Sequence, residues 1–392
     1  MTTTRWVWQA PHWPTFIHDS ARVCGALGPA RLEQGRLLGK ASAVGASQLL
    51  SVQQEVWSAE AVATAAIEGE RLDLDAVRSS VARRLGIQPG FVAAVPRHVD
   101  GLLDVMEDAA ARWDQDLDEA RLCRWQSALF PGGVSSIHAI ATGRYRTGEE
   151  PMQIVSGPAH RPKVHFEAPP AAQVPGEMVR LVDWFNRSRL DPVLDGVVRA
   201  AIVHLWFETI HPFEDGNGRV GRALVDMALA QAARTPYRLH GLSTALRRRQ
   251  AAYHAALNEA QRGDGDATAW LVWFIDTFRA ACAESSRLID EALVRARFWA
   301  DHAGVELNER QRKAVNRMLE AGPGRFEGGM TTRKYVTLTR AGTSVTAARD
   351  LADLVEKGLL RREGAGRSTY YDLALPGWEW VPPIAAGKAS AE

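Results

Sequence analysis

The stretch from residue 210 to residue 222 reads IHPFEDGNGRVGR and connects two segments with helical periodicity. Gly216, Asn217 and Gly218 leave successive backbone N–H groups open to approach, because no bulky side chain covers them. The next helix is expected to begin near this point, so its free N–H groups and the positive end of its dipole face the same place. The sequence therefore predicts an anion-binding loop at the start of a helix.

Charged side chains surround this loop. Arg219 and Arg222 lie three positions apart, project to one side of the helix, and can each bind phosphate through two N–H groups. Glu214 or Asp215 beside a phosphate is suited to bind Mg²⁺, which prefers one or two carboxylates together with phosphate oxygens. His211 is placed to accept a proton from an attacking hydroxyl, a role worth roughly 10²–10⁴ in rate. The stretch thus favours a site for several phosphate oxygens.

Other interpretations of the same residues are weaker. Residues 216–221 match the dinucleotide-binding pattern G-x-G-x-x-G, but that pattern requires a preceding strand, and a helix is expected here. A metal site drawn from His204, Glu208, His211 and Asp215 lacks the HExxH order, and a proline interrupts the helix before the last of them. A glycine-rich linker with solvated charges fits each residue alone, but their combination argues against it.

The stretch resembles the signature of the Fic family, HPFx(D/E)GNGRxxR, and every fixed position is present from His211 to Arg222. Enzymes of this family usually transfer AMP from ATP to a hydroxyl side chain of a target protein. The resemblance implies His211 as the general base, Asp215 as the Mg²⁺ ligand and Phe213 as the buried anchor of the loop. The residues that it implies in ATP binding are Gly216, Asn217, Gly218, Arg219, Arg222 and Tyr253.

Residues 143–170 contain two short β-like runs, at 152–155 and 163–166, around a Gly/Pro turn, which predicts a hairpin. By resemblance this hairpin is the family's flap, onto which a target chain adds as a strand so that its hydroxyl lies near the base. The preceding Gly143–Arg146 is similar to the family's G-x-Y-R sequence. An ordinary structural hairpin is the alternative.

Residues 46–69 predict one amphipathic helix that ends at Gly69. A carboxylate near a helix C-terminus is disfavoured by the dipole by about 0.3–1 kcal/mol, so an arginine is expected to compensate Glu68. Thr64, Glu68 and Gly69 also fit the family's inhibitory motif (S/T)xxxE(G/N). The resemblance implies that Glu68 pairs with Arg222 and takes the place of the ATP γ-phosphate. An exposed glutamate at a frayed helix end is the alternative.

The whole chain is predicted to be mainly α, with a Fic-type helical core, the flap hairpin and a C-terminal winged helix-turn-helix domain. We predict an N-terminal helical region with a tryptophan-rich start over 1–100 and the catalytic core over 101–300. The winged helix is predicted over 305–376 from three short helical segments and two strands around a glycine-rich tip. A loose tail is expected over 377–392, and the resemblance to the Fic family covers roughly 45–300.

Composition excludes several classes of protein. The 392 residues include 47 Lys and Arg against 46 Asp and Glu, so the total charge does not indicate a nucleic-acid or anionic-membrane partner. No apolar run approaches the ~18–20 residues of a membrane span. Cys24, Cys123 and Cys282 share no metal or disulfide spacing and predict a reducing cytoplasm. A membrane protein, a disulfide scaffold and a disordered chain are therefore not expected.

The C-terminal module has a net positive charge, unlike the chain as a whole, which is nearly neutral. Residues 307–375 contain 13 Lys and Arg against 8 Asp and Glu. The arginines around its third helix and wing are Arg340, Arg349, Arg361, Arg362 and Arg367. This arrangement suits phosphate contacts on duplex DNA, and a protein-docking or dimerisation module is the alternative.

The leading hypothesis is an autoinhibited protein adenylyltransferase that uses ATP and Mg²⁺ and acts on a Ser, Thr or Tyr hydroxyl. The main alternative is a DNA-binding regulator whose Fic core senses a nucleotide. A Fic enzyme that transfers a different phosphate-linked group, or removes AMP, also stays open. Self-modification and a homodimer are open as well, and no membrane partner is expected.

Overall fold

The computed structural model describes residues 6–87, 95–135, 138–156, 163–236 and 239–380. The chain divides into two compact units, Met1–Leu288 and Ile289–Glu392. Most of the tail predicted at 377–392 lies outside the described residues.

The first unit is mainly helical. Its helices are α1 Ser20–Ala43, α2 Ala46–Ile67, α3 Leu74–Arg84, α4 Arg97–Ala111, α5 Glu119–Leu129, α6 Val174–Ser188, α7 Gly196–Ile210, α8 Asn217–Ala233, α9 Leu242–Arg248, α10 Gln250–Ala260 and α11 Thr268–Asp301, the last of which continues into the second unit. Helix α2 lies where the sequence predicts a helix over 46–69, and the N-terminal helical region predicted over 1–100 also contains α1 and α3. The periodicity of residues 246–260 favours one helix, but the structure has two, α9 and α10, because the backbone leaves helical geometry at Arg249.

Within the described residues of the first unit, two short antiparallel hairpins accompany these helices. β1 Val134–Ser135 pairs with β2 His138–Ala139, and β3 Gln153–Ser156 pairs with β4 Lys163–Glu167. Strands β3 and β4 lie where the sequence predicts a hairpin, and their register shifts between Ile154 and Val155. The turn of that hairpin, residues 157–162, lies outside the described residues.

Helices α7 and α8 form the centre of the first unit. Every residue of α7 from Val197 to Ile210 is buried, which explains why its sequence is apolar around the whole circumference. Helix α8 packs against α7 and is buried along most of its length. The connection 211–216 between them is therefore fixed at both ends by the core.

The tryptophan-rich start packs against the β3–β4 hairpin. Trp6 is buried edge-on against Phe166 of β4, with ring centroids 5.3 Å apart. The indole N–H of Trp8 donates to the Glu167 carbonyl at 2.7 Å, and that of Trp13 donates to Glu177 on α6 at 2.9 Å. The hairpin is thus held by residues near the start of the chain.

The second unit contains three further helices and a hairpin. They are α12 Glu309–Ala321, α13 Thr332–Thr339, α14 Ser344–Glu356, β5 Leu360–Glu363 and β6 Tyr370–Leu373. β5 and β6 are antiparallel, with Leu360 opposite Leu373. Tyr335, Leu351 and Leu354 are among the fully buried residues of its core. The order of elements agrees with the one we expected for residues 305–376, and assignment to the winged-helix fold stays a prediction.

None of the helices in the described part of the chain combines the length and the apolar character that crossing a membrane requires.

Candidate active site

The loop before α8 requires glycine at two positions. Gly216, the N-cap of α8, has φ +88°, and a Cβ there would lie 2.8 Å from the Phe130 ring. A Cβ at Gly218 would lie 2.2 Å from Oε1 of Glu68. The first residue lets the chain turn into the helix, and the second lets a carboxylate approach the start of α8 closely.

Asn217 closes this loop with its side chain. Its Nδ2 donates to the Phe213 carbonyl at 2.8 Å, and its Oδ1 accepts the Phe213 N–H at 2.9 Å. Phe213 is fully buried, as its predicted anchoring role requires. The amide of Asn217 therefore fixes the loop, while the backbone N–H groups at the start of α8 are the groups suited to bind anions.

His211 caps the C-terminus of α7 in the left-handed conformation, with φ +50°. A positive φ is uncommon outside glycine and is retained here by surrounding contacts. The backbone N–H of Arg146 donates to the Pro212 carbonyl at 2.8 Å, and its guanidinium Nε donates to the His211 carbonyl at 2.8 Å. Arg146, quoted in the sequence only as part of G-x-Y-R, thus holds the turn that presents His211.

The environment of His211 favours a neutral imidazole. Burial, assisted by the charge of Arg146, lowers the pKa of His211 to about 4, although a backbone contact with Glu208 acts in the opposite direction. A neutral imidazole has a nitrogen lone pair that can accept a proton. Nδ1 of His211 lies 3.9 Å from the Glu208 carboxyl.

That carboxyl is itself unusual. Burial, with the charge of Glu68 nearby, raises the pKa of Glu208 to about 8. At neutral pH Glu208 is therefore protonated, and its contact with His211 joins two uncharged groups. Its Oε1 has no hydrogen-bond partner among the described residues. Sequence reasoning considered Glu208 only as a metal ligand, because local sequence does not reveal how deeply a carboxyl is buried.

The two acids of the motif, Glu214 and Asp215, accept hydrogen bonds from the β1–β2 hairpin, from the residues just after it and from the loop itself. Ala141 N–H donates to Glu214 at 2.8 Å, while the Ser135 hydroxyl and the Gly216 N–H both donate to Asp215. Carboxylate oxygens are the hard donors that Mg²⁺ prefers. Asp215 remains 41 % exposed, so its carboxylate is accessible to such an ion. Among the described residues, no group of three or more His, Cys, Asp or Glu could form a metal site. A Mg²⁺ ion held by one carboxylate and by substrate phosphates fits this donor set.

Arg222 is buried and is bound by two residues of α2. Its Nη2 donates to Glu68 Oε1 at 2.8 Å, its Nε donates to Thr64 Oγ1 at 2.7 Å, and Nη2 also donates to the Thr64 carbonyl at 3.0 Å. Burial alone would raise the pKa of Glu68, but Arg222 beside it holds that pKa below its ordinary value. Thr64 and Glu68, one helical turn apart, therefore share a single guanidinium.

The end of α2 also contacts Arg219. Gly69 has φ +81° and ends the helix in a Schellman motif, with hydrogen bonds from Gly69 N–H to Ala66 and from Glu70 N–H to Ala65. This turn places Glu70 Oε2 2.9 Å from Arg219 Nη1. The sequence interpretation did not include Glu70; the signal was a second carboxylate two positions after Glu68.

Tyr253 lies at the back of the site. It is buried, its hydroxyl lies 2.7 Å from His204 Nε2, and its ring stacks on Trp273. A cavity of about 370 Å³ is lined by His211, Arg222, Tyr253, Gly218, Glu68 and Glu208, and by Ile154 and Val155 of β3. Among the other predicted site residues, Asp215, Gly216, Asn217 and Arg219 surround the start of α8 next to this cavity.

Comparison with known proteins places the motif within a recognised family. The sequence model of the Fic/DOC family matches residues 116–229, which include the whole motif. A second model, described as a domain of unknown function (DUF4172), matches residues 6–87.

Two curated relatives share part of the chain. A probable protein adenylyltransferase of Aquifex aeolicus is 38 % identical over 98 residues, which are 25 % of this chain and 27 % of the relative. Protein adenylyltransferase fic-1 of Caenorhabditis elegans is 29 % identical over 210 residues, which are 51 % of this chain and 36 % of the relative. The matches thus span about a quarter to a third of the length of these relatives.

Solved structures support the fold. A Fic family protein from Desulfovibrio desulfuricans has a TM-score of 0.50 at 24 % identity, with 89 % of this chain and 95 % of that one covered. A Fic domain containing signaling protein from Bacteroides thetaiotaomicron has a TM-score of 0.51 at 20 % identity, with 66 % and 96 % covered. Residues 116–229 thus match the sequence model of the Fic/DOC family, and the fold is similar to that of two solved Fic proteins.

Proposed function

We propose that this protein transfers AMP from ATP to a Ser, Thr or Tyr hydroxyl of a target protein, and that Glu68 restrains the reaction. The observation that carries the proposal is that a neutral His211 and the buried Arg222 line one cavity beside the glycine turn of α8. The names of the partly matching relatives agree with it. The three cysteines are free, which fits the proposed cytoplasmic location.

In the proposed reaction, the target hydroxyl oxygen attacks the α-phosphorus of ATP while His211 accepts the hydroxyl proton. The bond from the α-phosphorus to the bridging oxygen breaks, and pyrophosphate leaves. Backbone N–H groups at the start of α8, with Arg219 and Arg222, bind the phosphate oxygens. Mg²⁺ held by Asp215 supplies charge neutralisation on those phosphates.

The target is proposed to dock on the β3–β4 hairpin. Ile154 and Val155 of β3 border the cavity that contains His211, and Val155 is half exposed. Main-chain pairing along such a strand fixes the position of a hydroxyl with little demand on the target's sequence. This supports a protein as acceptor.

Glu68 is proposed to act as the restraint because it occupies groups that the nucleotide needs. Its carboxylate takes a hydrogen bond of Arg222 and lies against Gly218 at the start of α8. A phosphate oxygen cannot take the same position while Glu68 is present. Basal transfer is therefore expected to be slow until the end of α2 moves.

Labelled ATP provides the test. Wild type, Glu68→Gly, His211→Ala and the double variant Glu68→Gly/His211→Ala are incubated with Mg²⁺, a cell lysate, and ATP labelled on either the α- or the γ-phosphate. We expect α-label on protein to rise at least about tenfold in Glu68→Gly, equivalent to about 1.4 kcal/mol in the barrier, and to be lost in Glu68→Gly/His211→Ala. Label from γ-ATP alone would identify phosphate transfer instead. If neither ATP labels protein in any variant, both AMP transfer and phosphate transfer are contradicted.

We also propose that the second unit binds duplex DNA through α14. Val345 is 76 % exposed and Arg349 is exposed on this helix, whereas Asp350 is buried and paired with Arg310 at 2.9 Å. Asp350 is thus turned away from the exposed face, and the acidic residue exposed on this helix is Glu356, at its end. In a winged helix, the corresponding helix enters the major groove.

A fluorescent duplex of mixed sequence tests this second proposal with the full chain at about 50 and about 200 mM salt. Binding should weaken as salt rises, because phosphate contacts release counterions, and Arg349→Ala should weaken it further. Arg317→Ala serves as the control, since Arg317 is an exposed arginine on α12 that lies 3.6 Å from Glu320. Absence of binding at the lower salt, or equal loss in both variants, would contradict the proposal.

A further inference from the structure

A second carboxylate, that of Glu70, forms an ion pair with one of the two arginines that the proposed function assigns to the nucleotide phosphates. Glu70 Oε2 is 2.9 Å from Arg219 Nη1, and the two side chains are 33 % and 8 % exposed. Arg219 is one of the two arginines that the proposed function assigns to the nucleotide. Glu70 is therefore attached to one of them while Glu68 is attached to the other.

Both glutamates project from the same turn. Glu68 is the C-cap of α2, Gly69 adopts φ +81°, and Glu70 donates its backbone N–H to Ala65 at 3.0 Å. This Schellman geometry fixes the positions of the residues on either side of the glycine relative to each other. The two carboxylates are consequently presented together, and a movement of the end of α2 displaces both.

Arg219 has a second support that does not depend on Glu70. Its guanidinium carbon lies 4.8 Å from the centroid of the Phe130 ring, and its Nε is buried without a partner among the described residues. Stacking on an aromatic ring keeps a guanidinium in place while leaving in-plane N–H groups available. Loss of Glu70 would thus leave Arg219 positioned to bind an anion.

We propose that Glu70 is a second inhibitory carboxylate, which occupies Arg219 as Glu68 occupies Arg222, so that nucleotide phosphates must displace both. This inference rests on the proposed function in assigning the two arginines to ATP. It predicts that removal of Glu68 alone releases the site only in part.

Binding of MgATP, measured by calorimetry, tests the proposal without relying on turnover. The proteins are wild type, Glu70→Gln, Glu68→Gln and the double variant. Since a partly exposed ion pair is worth up to about 1 kcal/mol, Glu70→Gln should tighten MgATP binding by about threefold to fivefold in both backgrounds. Transfer of α-label should rise in the same order. The matched control is Glu33→Gln, which removes a carboxylate paired with Arg36 on α1 and should change neither.

Two outcomes would overturn the proposal. Unchanged MgATP affinity in Glu70→Gln, in both backgrounds, would mean that phosphates do not compete with Glu70. Weaker binding would mean that Glu70 orders Arg219 for the nucleotide. Thermal denaturation of each variant checks that the fold is intact.

The failure of this inference is distinguishable from failure of the proposed function. If MgATP binding tightens as expected but no variant transfers label, the second inhibitory carboxylate stands and AMP transfer is wrong. If Glu68→Gln transfers AMP and Glu70→Gln adds nothing to binding or rate, AMP transfer stands and the role of Glu70 is wrong.

Discussion

Glu208 and His211 are two titratable residues on one helix whose pKa values burial moves in opposite directions. Glu208, at about 8, keeps its proton in the native protein, and His211, at about 4, lacks one. Both side chains are therefore uncharged at neutral pH, next to the ion pair of Glu68 and Arg222. A neutral Glu208 therefore adds no second negative charge beside Arg222 to the one that Glu68 already carries.

The pH dependence of the free energy of unfolding should reveal whether Glu208 is protonated in the native state. In the unfolded chain this carboxyl ionises near 4.5, so between pH 4.5 and about 8 the native state binds more protons than the unfolded state. The free energy of unfolding then falls as pH rises through this range. His211 is present in wild type and in Glu208→Gln alike, so its own titration, which is half complete at pH 6.5 in the unfolded chain, cancels when the two proteins are compared. Raising pH from 6.5 to about 8 should therefore lower the Tm of wild type more than that of Glu208→Gln. Parallel pH profiles would show that Glu208 is ionised in the native protein.

At this scale the sequence predicted the residues that belong to a long motif. His211, Arg222 and Glu68 were found because their residue types and spacing match a family pattern. Glu208 and Glu70 were missed for physical reasons. The protonation of Glu208 depends on burial by other helices, and the contact of Glu70 depends on the left-handed turn at Gly69.

Helix α2 attaches to the core through a row of polar side chains at four-residue spacing. Glu60, Thr64 and Glu68 share one face of the helix. Glu60 is fully buried and accepts hydrogen bonds from the N–H groups of Ser243 and Thr244, at 2.6 and 2.7 Å, at the start of α9. Helix α2 also buries apolar side chains, among them Val52, Val56 and Ile67, so these hydrogen bonds add to an apolar contact with the core.

The contact of Glu60 with α9 should make a measurable contribution to the free energy of unfolding. Glu60→Ala leaves two backbone donors without a partner in a buried place, so it should lower the free energy of unfolding by about 1–3 kcal/mol. Urea denaturation measures this change. Glu33→Ala on α1, which removes a partly exposed carboxylate paired with Arg36 one turn away, should change stability by less than about 0.5 kcal/mol. An equally small effect for Glu60→Ala would show that water replaces its hydrogen bonds.

Among the elements, α2 agrees closely with the helix predicted over 46–69, whereas α1, β1 and β2 were not predicted individually. Helix α1 was missed because Pro29 and four glycines lower its intrinsic helical preference, and packing in the folded protein overrides that preference. Its N-cap, Asp19, which accepts the N–H groups of Ala21 and Arg22, was the available signal. Strands β1 and β2 have two residues each, too few to show an alternation.

At the scale of the whole molecule, sequence predicts elements that depend on neighbouring residues, but it does not by itself predict contacts between residues that are far apart in the chain. The elements of the second unit follow from residues close together in the chain, such as the capping box of Asn308 and Gln311. Glu68 and Arg222, by contrast, are 154 positions apart, and no periodicity connects them. That contact was reached only through resemblance to a family in which the two motifs occur together.

Arg222 is bound by Thr64 and Glu68 and is also the arginine proposed to bind nucleotide phosphate, and this double use has a genetic consequence. Under the proposed restraint, substitutions of Arg222 abolish the inhibitory contact and the phosphate contact at once, so none of them yields a hyperactive allele. Gain-of-function alleles are confined to the other partner, at Thr64, Glu68 and the turn that follows them. A mutational screen would therefore separate activating and inactivating changes by helix, α2 against α8, although the side chains involved touch each other.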